Sequence, residues 1–60
     1  MYRYIVEYHT APSPALAYYE GSVTVYADDE TDAVIAARKE LARHAPEYRN
    51  SIQIDAVYED

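Results

Sequence analysis

The chain has no cysteine, no phenylalanine, no tryptophan and a single glycine, and it carries five basic side chains against eleven acidic ones. Each shortage removes a class of explanation. Without cysteine there is neither a disulfide nor a thiolate metal site, and His9 and His44 are too few to close a zinc site without several carboxylates joining them. A formal net charge of −6 argues against direct contact with nucleic acid or anionic membrane, both of which are gripped by clustered Lys and Arg. No apolar run approaches the roughly 20 residues that cross a bilayer. Met1-Tyr2-Arg3-Tyr4 lacks the charged-then-apolar order of a secretory signal, so a cytoplasmic location is expected. The lone Gly21, set inside an alternating segment, offers no phosphate-cradling loop or nucleophile elbow and reads instead as a bulge or a close packing contact.

What the chain has in abundance is tyrosine, eight in 60 residues. A tyrosine fills a core, but its hydroxyl also suits it to a half-wet interface. A domain this short hides only about 60% of the surface its unfolded chain exposes. With disulfides and thiolate metals excluded, self-association is the remaining common support for so small a core, and a homodimer is expected. The charge is uneven: residues 1–37 carry a net −5 and residues 38–60 a net −1. Such a surface attracts basic partners.

Residues 1–60 read as one α+β domain of order ββαβ. Tyr2, Tyr4, Val6 and Tyr8 alternate with Arg3, Ile5 and Glu7 in the period of a half-buried strand, and a second strand is expected over Tyr18 to Ala27. The third spans Ser51 to Tyr58, with Ile52, Ile54, Ala56 and Tyr58 opposed to Gln53, Asp55, Val57 and Glu59. Between the second and third strands Val34, Ala37, Leu41 and Ala45 share a helical stripe rimmed by Ala33, Ile35 and Ala42. That helix starts near Asp28 to Thr31 and ends before Pro46, with acids early and bases late, as the helix dipole favours. A right-handed crossover gives a three-stranded sheet of order 2-1-3 with the helix on one face. The expected core is Tyr2, Tyr4, Val6, Tyr8, Val23, Val25, Ile52 and Ile54. The other face, left open, should carry Ile5, Tyr18, Tyr26 and Val57 among charged side chains. The link from His9 to Ala17, with Pro12 and Pro14, is longer than most hairpin loops.

The run Asp28-Asp29-Glu30-Thr31-Asp32 could be read as a cation site, but capping acids at a strand-to-helix junction explain it without an ion. No cofactor and no metal are expected. The scattered Ser13, Ser22 and Ser51 do not suggest a triad, and a small one-layer sheet offers little concavity for paired catalytic acids, so an enzyme is not expected. Tyrosines on a sheet can stack nucleic-acid bases, yet the only basic group is Arg38, Lys39, Arg43 and Arg49 near the helix end. The opposite sign is the sharper reading: ordered carboxylates can occupy a protein groove built for phosphates. Set against it, a net charge of this size is also what a small domain carries for solubility.

In its size, acidity, lack of cysteine and ββαβ order, the chain resembles the small early proteins of bacteriophages that disable host enzymes, and among them the acidic dimeric DNA mimics, including those that block DNA gyrase. The segment Val23 to Val34 is also similar to the strand-to-helix passage of HicB-type antitoxins. The first resemblance implies a cytoplasmic inhibitor, in the host cytoplasm if phage-encoded, acting on a basic nucleic-acid-binding host protein by competitive exclusion. Glu7, Glu20, Asp28, Asp29, Glu30, Asp32, Asp55 and Glu59 are the expected charge-presenting residues, and Ile5, Tyr18, Tyr26 and Val57 the expected contact patch between copies or with the target. The alternative is a structural or assembly module that uses the tyrosine patch without imitating DNA.

Overall fold

The computed structural model describes residues 1–60. Strand β1 runs Tyr2–Thr10, β2 Glu20–Ala27 and β3 Ile52–Glu59, while helix α1 occupies Glu30–His44 and is followed by a short 3-10 turn, Pro46–Tyr48. The sheet order is β2-β1-β3, with both outer strands antiparallel to β1. This is the ββαβ arrangement expected from the sequence periods.

The helix begins where its sequence supplies a cap. Asp29 is extended, and its carboxylate accepts the Asp32 backbone N–H at 2.8 Å, satisfying one of the donors that the first turn leaves orphaned. Glu30 and Asp32 lie in the first turn and Arg43 and His44 in the last, each in the favourable end of the dipole. Ala45 closes the helix by donating its N–H to the Leu41 carbonyl, and Pro46 prevents continuation. Asp29→Ala should therefore cost about 0.5–2 kcal/mol, read as an earlier midpoint in urea with an unchanged slope.

The helix meets the sheet through alanine. Ala33 and Ala37 are fully buried and Ala36 packs beside them, against Tyr4, Val6, Val25 and Ala27. Their short side chains let α1 lie close to the sheet. Val34, Leu41 and Ala45, expected on the central stripe, are only half-buried, and Ile35 is exposed. Only eight residues of 60 are buried, so each of these contacts carries a large share of the stability.

Several expected positions are corrected. Tyr2 is 54% exposed rather than in the core, because it pairs with Ala27 at the end of the sheet, where the helix has not yet begun. Strand β1 continues to Thr10, which is buried, and β2 starts two residues later than expected, at Glu20. Thr10 is the reason. Its N–H donates to the Tyr19 carbonyl at 2.8 Å and its hydroxyl accepts the Tyr19 N–H at 2.8 Å, so the base of the loop is closed by a side chain in place of a ladder bond. Tyr48 ties the same loop to the helix end, donating its hydroxyl to the Ala17 carbonyl at 2.9 Å while standing edge-on to the Tyr19 ring. Gly21 is not at a bulge: it pairs with Tyr8, whose ring lies against it.

The largest correction concerns β3. Tyr8 pairs with Ile54 and Glu7 with Ala56, so Asp55 is the extra residue of a β-bulge. Beyond it the faces exchange, since one added residue reverses every later side chain. Val57, expected in the exposed contact patch, instead pairs with Val6 and packs on the core. Glu59 pairs with Tyr4 and so lies on the helix side of the sheet. Tyr58 and Ala56 turn to the open face, opposite Ile5 and Glu7.

Candidate binding surface

Cross-strand partners share a face of the sheet, so the register assigns the open side row by row. Tyr26 and Arg3 form one row, Thr24, Ile5 and Tyr58 the next, then Ser22, Glu7 and Ala56, then Glu20, His9 and Gln53. Three tyrosines stand on it: Tyr26 at 61%, Tyr18 at 57% and Tyr58 at 46% exposure. Ile5 is half-buried among them. Three of the four residues expected in the contact patch, Ile5, Tyr18 and Tyr26, are on this side, and Tyr58 stands where Val57 was expected.

Two carboxylates of this face, Glu7 and Glu20, are held by uncharged donors. Tyr58 donates its hydroxyl to Glu7 at 3.0 Å, and Tyr18 donates to Glu20 at 3.0 Å. A phenol is an uncharged donor, so each bond fixes a carboxylate in place and leaves its charge intact. Asp55 is held differently, with its two oxygens 2.7 and 2.9 Å from His9 Nδ1. The His9 ring lies 6.2 Å from that of Tyr18, which brings Asp55, His9, Tyr18 and Glu20 into one connected group. Glu7, Glu20, Ser22 and Asp55 line a shallow hollow of about 440 Å³.

The same bonds hold the tyrosines protonated. The hydrogen bond to Glu7, then partial burial and the charge of that carboxylate, push the Tyr58 hydroxyl above its ordinary value of 10.0, and Glu20 does the same for Tyr18. A raised folded-state pKa means that the stabilisation is complete below about pH 10 and is lost as pH rises through the folded values. Spectrophotometric titration should show two phenols ionising later in the native chain than in a Glu7→Gln/Glu20→Gln variant.

The eight expected charge-presenting residues fall into two groups. Glu7, Glu20 and Asp55 are together on the open face. Asp28, Asp29, Glu30 and Asp32 surround the helix start, and Glu59 joins them across the sheet end, where it adds with Glu30 and Asp29 to the burial that raises the Tyr4 hydroxyl. Ile5, Tyr26, Tyr58 and Arg3 stand between the groups, and Arg3 is paired with Asp60. The eight acids therefore do not form one band on a single copy. Asp29 is occupied as the helix cap, and Asp28 lies 4.0 Å from the Met1 amino group. Arg43 and His44 both bond to Glu40, and that pair of hydrogen bonds holds the Glu40 carboxyl below its ordinary range. No ion pair joins an arginine to Glu7, Glu20 or Asp55.

Sequence reasoning missed the tyrosine–glutamate pairs and an apolar cleft of about 350 Å³ between the helix end and the loop, walled by Tyr8, Tyr19, Leu41, Tyr48 and Ile52. Tyr18 and Glu20 are two residues apart, a spacing that could have suggested their bond. Tyr58 and Glu7 are separated by 51 positions and meet only through the bulged register. No family model, curated protein or solved structure matches the chain.

Proposed function

We propose that the protein is a non-enzymatic binder whose open sheet face engages a basic surface of a nucleic-acid-handling protein, in the manner of a DNA mimic, and inhibits it by exclusion. The observation that carries this reading is the pair of glutamates, Glu7 and Glu20, positioned by neutral tyrosine hydroxyls. A carboxylate paired with arginine offers little net charge to a partner, whereas one fixed by a phenol offers a full charge already oriented, at a reduced entropic cost of binding. Basic grooves that hold a phosphate backbone, as in a host enzyme such as DNA gyrase, are complementary to such a surface.

A second reading is an assembly module that binds through its rings. It is favoured by the exposure of Tyr18, Tyr26 and Tyr58, since large amphipathic rings are enriched at protein interfaces. Ionic strength separates the two. Mimicry requires affinity to fall steeply with added salt, while a contact dominated by tyrosine should change little. Neutralising Glu7, Glu20 and Asp55 together should sharply weaken target binding under the first reading and spare it under the second.

A further inference from the structure

The two edges of the sheet are not equivalent. Thr10 donates its N–H to Tyr19, Asp60 to Arg3 and Ala11 to Ser51, and these bonds fix the parity of both ladders, because hydrogen-bonded pairs alternate along an antiparallel pair. On β2 the residues that bond inward are Gly21, Val23, Val25 and Ala27, leaving the N–H and C=O groups of Glu20, Ser22, Thr24 and Tyr26 directed outward. On β3 the outward groups belong to Ile52, Ile54, Val57 and Glu59. That outer edge is guarded: Arg38 occupies the Ile52 carbonyl at 2.9 Å, and the Asp55 bulge breaks the row. Bulges of this kind are a common protection against edge pairing. Strand β2 has no bulge, proline or lysine in its eight residues, and its four outward residues are all exposed.

We propose that β2 pairs with β2 of a second copy, antiparallel about a two-fold axis between the two Val23 residues. The register follows from parity and charge. Outward residues must meet outward residues, so the position numbers of each opposed pair sum to an even value. The sum 46 opposes Glu20 to Tyr26 and Ser22 to Thr24, engaging all four outward residues of both strands. The sum 48 would oppose Glu20 to Asp28, a like-charge pair that disfavours it. In the chosen register Val23 faces Val23, Gly21 faces Val25, and a Ser–Thr hydroxyl pair forms on the open side.

The result is a continuous six-stranded sheet, three strands from each copy, with both helices on one side and both open faces joined on the other. The inference rests on the reading of this chain as a binder that self-associates, and it deepens that reading by naming the edge and register. It does not depend on the target being basic. Two copies of charge −6 repel, so salt should strengthen the dimer while weakening target binding.

Because the chain has no cysteine of its own, single cysteines report the register cleanly. Residues in a non-hydrogen-bonded antiparallel pair stand about 4.5 Å apart, within disulfide range. Under mild oxidation V23C should cross-link at least tenfold faster than Q53C, a collision control on exposed Gln53, and faster than T24C. Thr24→Pro, which removes an outward N–H that β1 does not use, should leave the circular dichroism spectrum unchanged and suppress V23C cross-linking. Faster cross-linking of T24C than V23C would overturn the register. Equal rates for V23C and Q53C, or a wild-type chain that sediments as a monomer at all salt concentrations, would overturn the pairing itself. These measurements use no target, so their failure leaves the proposal of an anionic binding face to be judged separately.

Discussion

Ala37→Leu should lower the melting temperature by roughly 5–20 °C. Ala37 has no solvent exposure and lies between α1 and the sheet beside Ala33 and Val6, which are also fully buried. Three added carbons have no space to enter, so the helix must lift or the ring of Tyr4 must move. Overpacking of this kind costs about 1–3 kcal/mol. A domain of this length has only about 3–9 kcal/mol of stability at the usual 0.05–0.15 kcal/mol per residue. By contrast, the volume-conserving swap Ile35→Leu at an exposed helix position should stay within about 0.5 kcal/mol. A thermal melt in which Ala37→Leu matches wild type would mean that the helix does not approach the sheet as closely as its alanine face indicates.

The second large effect belongs to the open face. Glu7→Gln/Glu20→Gln/Asp55→Asn removes three negative charges with almost no change in shape. Tyr58 and Tyr18 keep amide oxygens as acceptors, and relief of repulsion on one face offsets part of what the weaker hydrogen bonds lose. The fold should persist. At about 1 kcal/mol for each charge facing a cationic partner, the triple variant should bind a basic target about a hundredfold more weakly. Its residual affinity should also depend less on salt, since fewer ions are exchanged on binding. Isothermal titration at two salt concentrations reads both quantities.

The sequence made the architecture legible wherever one period dominated. Strict alternation from Tyr2 to Tyr8 located the central strand, and the Asp-rich approach to Ala33 together with Pro46 bracketed the helix. Strand β3 was harder because Ala56, Val57 and Tyr58 are consecutive apolar residues. Either face assignment buries something there, and only the pairing with β1 shows that Asp55 is extra. The consequences spread: Val57 moved to the core, Tyr58 to the surface and Glu59 to the helix side. Tyr2 was misplaced for a different reason, since alternation gives the face of a residue but not whether the helix reaches far enough to cover it.

The candidate site was legible as a composition and not as an arrangement. Tyrosine and carboxylate in excess pointed to an anionic, ring-bearing surface. The division of the eight acids between the open face and the helix start, and the tyrosine hydroxyls that orient Glu7 and Glu20, depend on tertiary register. Asp29 serves the fold as a cap, which separates it from residues free to meet a partner.

The most direct test is displacement. The immobilised chain, exposed to bacterial lysate at low salt, should retain DNA-binding proteins that duplex DNA releases, and the Glu7→Gln/Glu20→Gln/Asp55→Asn variant should retain none of them. Retention that duplex DNA leaves untouched, and that the neutralised variant reproduces in full, would contradict a preorganised anionic face as the binding surface.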